Sequence, residues 1–133
     1  HDRQLKTAMT VGYFCHEDAL IAKQIAKPAV EWFYRQLFKF TRPILSELYN
    51  SYEYYHQYRL FHSLLDKLAH YRVLEKLGFI IVGDPDHCRN KLLKLKQSGV
   101  DHVMLAVGAG GSSSLETQRC IQLTHDEVLP ALL

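Results

Sequence analysis

Apolar positions along this chain follow two rhythms. Phe79-Ile80-Ile81-Val82 is a short β-branched run that stops at Gly83, and His102 to Val107 is a second that stops at Gly108, Gly110 and Gly111. Between them Leu92, Leu93 and Leu95 stand among Arg89, Lys91, Lys94 and Lys96, which predicts a helix with one greasy face. Its ends are signalled as well. Asp84 can cap, Pro85 suits the first helical position, Asp86 adds a second acid, and Gly99 follows where a left-handed residue closes a helix. Strand, helix and strand of this length predict a right-handed crossover joining adjacent parallel strands. Both runs are apolar enough to be covered on two faces.

Upstream the same pattern repeats more loosely. Thr7 to Phe14 reads as a strand, Cys15 to Asp18 as a turn, and Ala19, Ala22, Ile25, Ala26, Ala29, Val30, Phe33 and Leu37 as a helical stripe. Pro28 is expected to kink or divide that helix near Lys27. Arg42-Pro43 opens a segment over 41–77 that breaks the rhythm and holds Tyr49, Tyr52, Tyr54, Tyr55, Tyr58 and Tyr71, six of the eight tyrosines. It reads as an inserted helical segment, of the kind that lies at the mouth of a site or forms an interface. After the glycine loop, Leu115 to Leu133 reads as a last helix with Leu115, Ile121, Leu123, Val128 and Leu129 on its apolar side. The order is β-α-(α insertion)-β-α-β-α.

Composition changes this picture little. At 47% hydrophobic and 23% charged, the 133 residues suit one ordinary globular domain or part of a larger one. A formal charge of +2 is too small to imply a nucleic-acid or anionic-membrane partner. Three cysteines in no framework spacing fit the reducing cytoplasm. No run approaches the roughly 20 apolar residues of a membrane span. The chain starts at His1 rather than methionine, as a fragment of a longer protein would.

The pattern from Val82 to Leu132 resembles the C-terminal end of the luciferase-like monooxygenases. Val82, Gly83, Asp84, Pro85 and Asp86 match that family's helix start, and Gly99, Val100 and Asp101 its turn into the last strand. Glu127, Val128, Leu129 and Pro130 match the end of its closing helix. The resemblance covers about the last 56 residues well and Thr7 to Phe40 loosely; the tyrosine-rich segment matches no family motif. It implies an α/β chain forming the C-terminal portion of a (β/α)8 TIM barrel, strands six to eight, as one partial domain over 1–133 with a helical insertion at 41–77. It further implies part of an enzyme that oxidises an organic substrate with molecular oxygen, using reduced FMN or, alternatively, a deazaflavin. Such a piece alone is expected to be inactive, and to be oligomeric or completed by the rest of its own barrel. A non-catalytic half-barrel serving as an interaction or scaffold module is the other reading.

Candidate site residues lie at the ends of the predicted strands. Gly108, Gly110, Gly111 and Ser112 offer free amides and hydroxyls before a helix, enough to cradle a phosphate or a flavin edge, although a solvated connection has the same composition. Gly83 is a second cofactor candidate. His16 could sit over a ring system as a polar group or proton donor, or be a surface turn histidine. Cys15-His16 and His87-Cys88 suggest zinc, but neighbours in an extended stretch point in opposite directions, so no metal is expected.

Overall fold

Among the residues described by the computed structural model (6–51, 64, 67–108 and 111–133), three strands form one parallel sheet. In chain order the elements are β1 (Ala8–Cys15), α1 (Ala19–Ser51), α2 (Tyr71–Lys76), β2 (Ile80–Gly83), α3 (Pro85–Gln97), β3 (His102–Val107) and α4 (Ser114–Leu123). A π-helical turn at Thr124–Val128 and a 3₁₀ turn at Leu129–Ala131 follow.

The strand order is β2-β1-β3. β1 pairs with β2 from Gly12–Ile80 to Cys15–Gly83, and with β3 from Ala8–His102 to Tyr13–Val107. β2 and β3 are thus parallel but not adjacent, contrary to expectation. The barrel is overturned with them: a (β/α)8 barrel pairs each strand with the next and needs eight, whereas this sheet is open and has β1 in the middle. The α/β class stands. Burial explains the order. Val11 to Cys15 are buried without interruption, so β1 takes the one position where both faces and both edges are covered. β3 takes an edge and alternates instead, with Met104 68% exposed.

With β1 central, the crossover to β2 and the return to β3 run in opposite directions across the sheet. Right-handed crossovers then place helices on both faces. Gly12 and Tyr13, consecutive and so on opposite faces, show this: Gly12 lies against Tyr34 of α1, and Tyr13 meets Thr124 beyond α4. On the first face Ala22, Ala26, Val30 and Tyr34 of α1 join the core, and the Tyr34 hydroxyl donates to the Phe79 carbonyl at 2.8 Å. On the second face Arg89 and Lys96 of α3 tie down the C-terminal turns through the carbonyls of Glu127 and Leu132.

Several local expectations change. α1 runs through both Pro28 and Pro43, so neither divides it. Ala22, Ala26, Ala29 and Val30 are buried on either side of Pro28, and that packing outweighs the lost hydrogen bond. Residues 41–51 therefore belong to α1 rather than to a separate insertion. Tyr52, Tyr54, Tyr55 and Tyr58 lie outside the described residues. Glu31 accepts the Tyr71 N–H at 2.9 Å and so caps α2 from α1. α3 begins and ends as the sequence indicates, Asp84 Oδ1 accepting the His87 N–H at 2.8 Å and Gly99 standing at φ +91°. Its buried residues are Cys88 and Leu92, whereas Leu93 and Leu95 are half-buried. The last helix keeps part of its expected apolar side: Leu123 and Val128 are buried, Leu115, Ile121 and Leu129 are exposed, and Cys120 and Thr124 are buried beside the first two. Polar-looking Thr124 and small Cys120 share the buried side with Leu123 and Val128, which is why counting large apolar residues alone finds only half of it.

Candidate functional site

In an open parallel sheet, ligands bind outside the carboxyl ends of the strands, where the connections diverge to opposite faces. Here that point lies between β1 and β3. The turn after β1 is built by short polar contacts. Asp18 Oδ1 caps α1 by accepting the N–H groups of Leu20 and Ile21 at 2.8 and 3.1 Å. The Asp18 N–H in turn donates to His16 Nδ1 at 3.0 Å. A neutral imidazole whose Nδ1 accepts must carry its proton on Nε2, so His16 presents a donor there.

After β3, the chain turns into α4 through a capping box. Ser113 Oγ accepts the Glu116 N–H at 3.2 Å, and the Glu116 carboxylate accepts the Ser113 N–H at 2.7 Å. That backbone donor is the main reason the Glu116 carboxyl lies below its ordinary value. α4 and the β1 turn are joined across the site by Arg119, whose Nη2 and Nε donate to Glu17 Oε1 at 2.7 and 3.1 Å. Arg119 holds the Glu17 carboxyl down, and Glu17 raises the guanidinium in return.

Between α1 and α4 these contacts leave a crevice of about 350 Å³. Ile21, Ile25 and Leu115 wall it, His16, Glu116 and Arg119 add the polar groups, and the buried Cys15 and Cys120 form its base. Leu115 is 76% exposed and Ile21 is 40% exposed at its walls. Of the sequence candidates, only His16 borders it. Ile21 and Arg119 were not singled out, and Leu115 was assigned to the core.

The glycine candidates are filled by the chain itself. A Cβ on Gly83 would stand 2.9 Å from the His87 ring. Gly108, at φ +72°, faces Thr117, whose Oγ1 would lie 2.9 Å from a Cβ there and is 3.0 Å from Ser112 Oγ. Gly111 lies against Ala29. The space enclosed by Gly108, Ser112, Ala26 and Ala29 is about 10 Å³, enough for one water at most. Gly110 lies outside the described residues. The Ser113 amide at the start of α4 already holds the Glu116 carboxylate, which sets an acid where a phosphate would have to approach this loop.

The two Cys-His pairs do not converge, and His87-Cys88 lies in α3 rather than in an extended stretch. Cys15 and Cys88 are buried in the core, whereas His16 borders the crevice and His87 covers Gly83. Among the described residues no three His, Cys, Asp or Glu side chains form a group that could hold a metal ion. No helix among them is long and apolar enough to cross a membrane.

The fold has a counterpart among solved structures. The chain is similar to part of the monooxygenase RslO1 from Streptomyces bottropensis, with a TM-score of 0.60 and 16% sequence identity. The likeness is one of fold. It covers 98% of this chain and 33% of that one, so the chain spans about a third of the length of RslO1. No protein-family model matches the sequence. No curated protein matches it either.

Proposed function

We propose that the chain is part of an oxidising enzyme of the monooxygenase class, and that the crevice beyond β1 and β3 binds the organic substrate through an apolar portion. The crevice carries this reading. It opens where parallel sheets of this order bind ligands, and its walls are solvent-facing Ile21 and Leu115, which have no partner in the core to account for them. His16 offers its Nε2 proton to a carbonyl or hydroxyl oxygen at the rim, which orients an otherwise greasy guest. The similarity of fold to RslO1 supports the reaction class.

Reduced flavin, FMN or a deazaflavin, would supply the oxygen-activating chemistry in this reading, with molecular oxygen as co-substrate. The loop at Gly108 and Ser112 would give the flavin phosphate no cradle, because it packs against α1 and Thr117. The loop's part is to set the start of α4, and with it Leu115 and Arg119, at the crevice. The test is binding of a naphthol, followed by its own fluorescence. Leu115→Asp and Ile21→Asp each place a charge on the wall at an exposed position, and each is expected to weaken binding about tenfold or more, on the order of 1–3 kcal/mol. Equal affinity in both variants and the wild type would sink the proposal.

A second reading rests on α1 beyond the sheet. Trp32, Phe40 and Ile44 are exposed there, an apolar surface of the sort that serves assembly. In it the chain is a non-catalytic interaction module. Sedimentation of the wild type and Phe40→Glu decides: a monomer in both cases removes this alternative.

A further inference from the structure

Three thiols that substrate binding leaves unused meet beneath the crevice. Cys15 ends β1, Cys88 lies in the first turns of α3, and Cys120 lies on α4; all are free, and none is more than 1% exposed. The sheet register brings the first two together. Cys15 stands opposite Gly83 across the β1–β2 ladder, and Cys88, five residues later, directs its Sγ at the Gly83 carbonyl, 3.8 Å away. The Cys15 and Cys88 thiols and the Tyr13 hydroxyl lie close enough to shift one another's titration. Cys120 is held differently, its sulfur accepting the Cys15 backbone N–H at 3.1 Å. Cys15 and Cys120 line the crevice, and Cys88 is not among its lining residues.

We propose that Cys15 and Cys88 form a peroxide-reactive pair, in which Cys15 is the attacking thiol and Cys88 the resolving one. The Cys15 thiolate attacks one oxygen of hydrogen peroxide, the O–O bond breaks, and water leaves, so that Cys15 becomes a sulfenic acid. The Cys88 sulfur then attacks the Cys15 sulfur, the S–O bond breaks, and a second water leaves with the Cys88 proton. Two thiols are oxidised to one disulfide, and one peroxide is reduced to two waters.

Position and charge assign the roles. Peroxide arriving through the crevice meets Cys15 before Cys88. The thiolate is the nucleophile, and the neighbouring Cys88 and Tyr13 side chains hold the Cys15 thiol below its ordinary value against the effect of burial. Cys88 is pushed up, first by neighbouring Cys15 and then by burial, and Cys120 is pushed up by burial. Cys15 lies opposite Gly83 and Cys88 packs on the Gly83 carbonyl, so the resolving thiol starts beside the strand position it must reach. The pair requires neither substrate nor flavin, so it stands or falls apart from the proposed function.

The test treats the reduced, folded 133-residue chain with one equivalent of hydrogen peroxide, followed by alkylation and peptide mapping. The expected product loses two hydrogens in mass and carries a Cys15–Cys88 disulfide with Cys120 alkylated. Cys88→Ser should instead accumulate a Cys15 sulfenic acid that dimedone captures, and Cys120→Ser should still form the disulfide. A Cys15–Cys120 or Cys88–Cys120 bond in the wild type, or three thiols that stay reduced until the chain is denatured, would overturn the proposal. The wild-type map decides the matter even where a serine variant folds poorly.

Discussion

At Gly83 a single absent side chain carries structural weight. The strand ends there, and the His87 ring lies where a Cβ would go, 2.9 Å from it. Gly83→Ala is expected to destabilise the fold by about 1–3 kcal/mol, the usual cost of overpacking. His87→Ala should recover part of that loss in the double variant, because it removes the ring and leaves only the His87 Cβ, 3.1 Å away. Urea unfolding of the four proteins checks it, and purely additive losses would show that some other contact is at fault. Glu116 supports a pH prediction at the same scale. Its folded pKa lies below its unfolded value of about 4.3, chiefly because the Ser113 N–H donates to the carboxylate. Its stabilisation is therefore complete above the unfolded value and lost as pH falls through the folded one. Melting temperatures of the wild type and Glu116→Gln should converge in acid below the folded pKa and separate above the unfolded one; a constant gap would refute the linkage. His16 was legible as a candidate because a histidine directly after an apolar strand must lie at the strand's end. Arg119 was not, since its role depends on Glu17 lying 102 residues away in the chain and close in space.

Element boundaries were legible where a few consecutive residues set them. Asp84, Pro85 and Gly99 mark both ends of α3 through contacts within a turn or two, so local chemistry suffices. Which face is buried was harder to read. In α3, Leu92 is buried and Leu93 half-buried, a phase set by how the helix lies on the sheet. Leu92→Ala should cost about 2–4 kcal/mol and Leu93→Ala about 1 kcal/mol. Equal losses in chemical denaturation would mean the helix is rotated from this orientation. The two prolines of α1 show tertiary packing overriding a local signal. Pro28 is exposed within an unbroken helix and serves no turn. Pro28→Ala restores a backbone donor and should stabilise the chain by about 1–3 kcal/mol. A loss of stability on that change would show that α1 needs the bend a proline imposes.

Strand order is a property of the whole molecule, and the local pattern could not supply it. Two apolar runs joined by a helix look the same whether they pair directly or flank a third strand. What decides is which strand can bury both faces, and Val11 to Cys15 of β1 do so, although the sequence reading gave first place to Phe79–Val82 and His102–Val107. The same global fact moves the crevice from a barrel mouth to the divergence point between β1 and β3, with Leu115 and Arg119 drawn into it. Amide exchange separates the two arrangements. In the order β2-β1-β3, the Gly12 and His16 N–H groups donate to the Phe79 and Gly83 carbonyls, and the other side of β1 pairs with β3. Every amide from Val11 to Tyr13 therefore sits in a ladder, in a strand closed on both edges, and should exchange only with global unfolding. Among the described residues β3 has one partner, so about half of its amides point to the other edge and should exchange orders of magnitude faster. Were β2 central instead, Ile81 and Val82 would be protected on both sides and β1 would show the alternation. Exchange of the folded chain, followed residue by residue, should find alternating protection over Val103 to Ala106 and uniform protection over Val11 to Tyr13. The reverse pattern would restore the consecutive order and remove the ground for placing the crevice at the ends of β1 and β3.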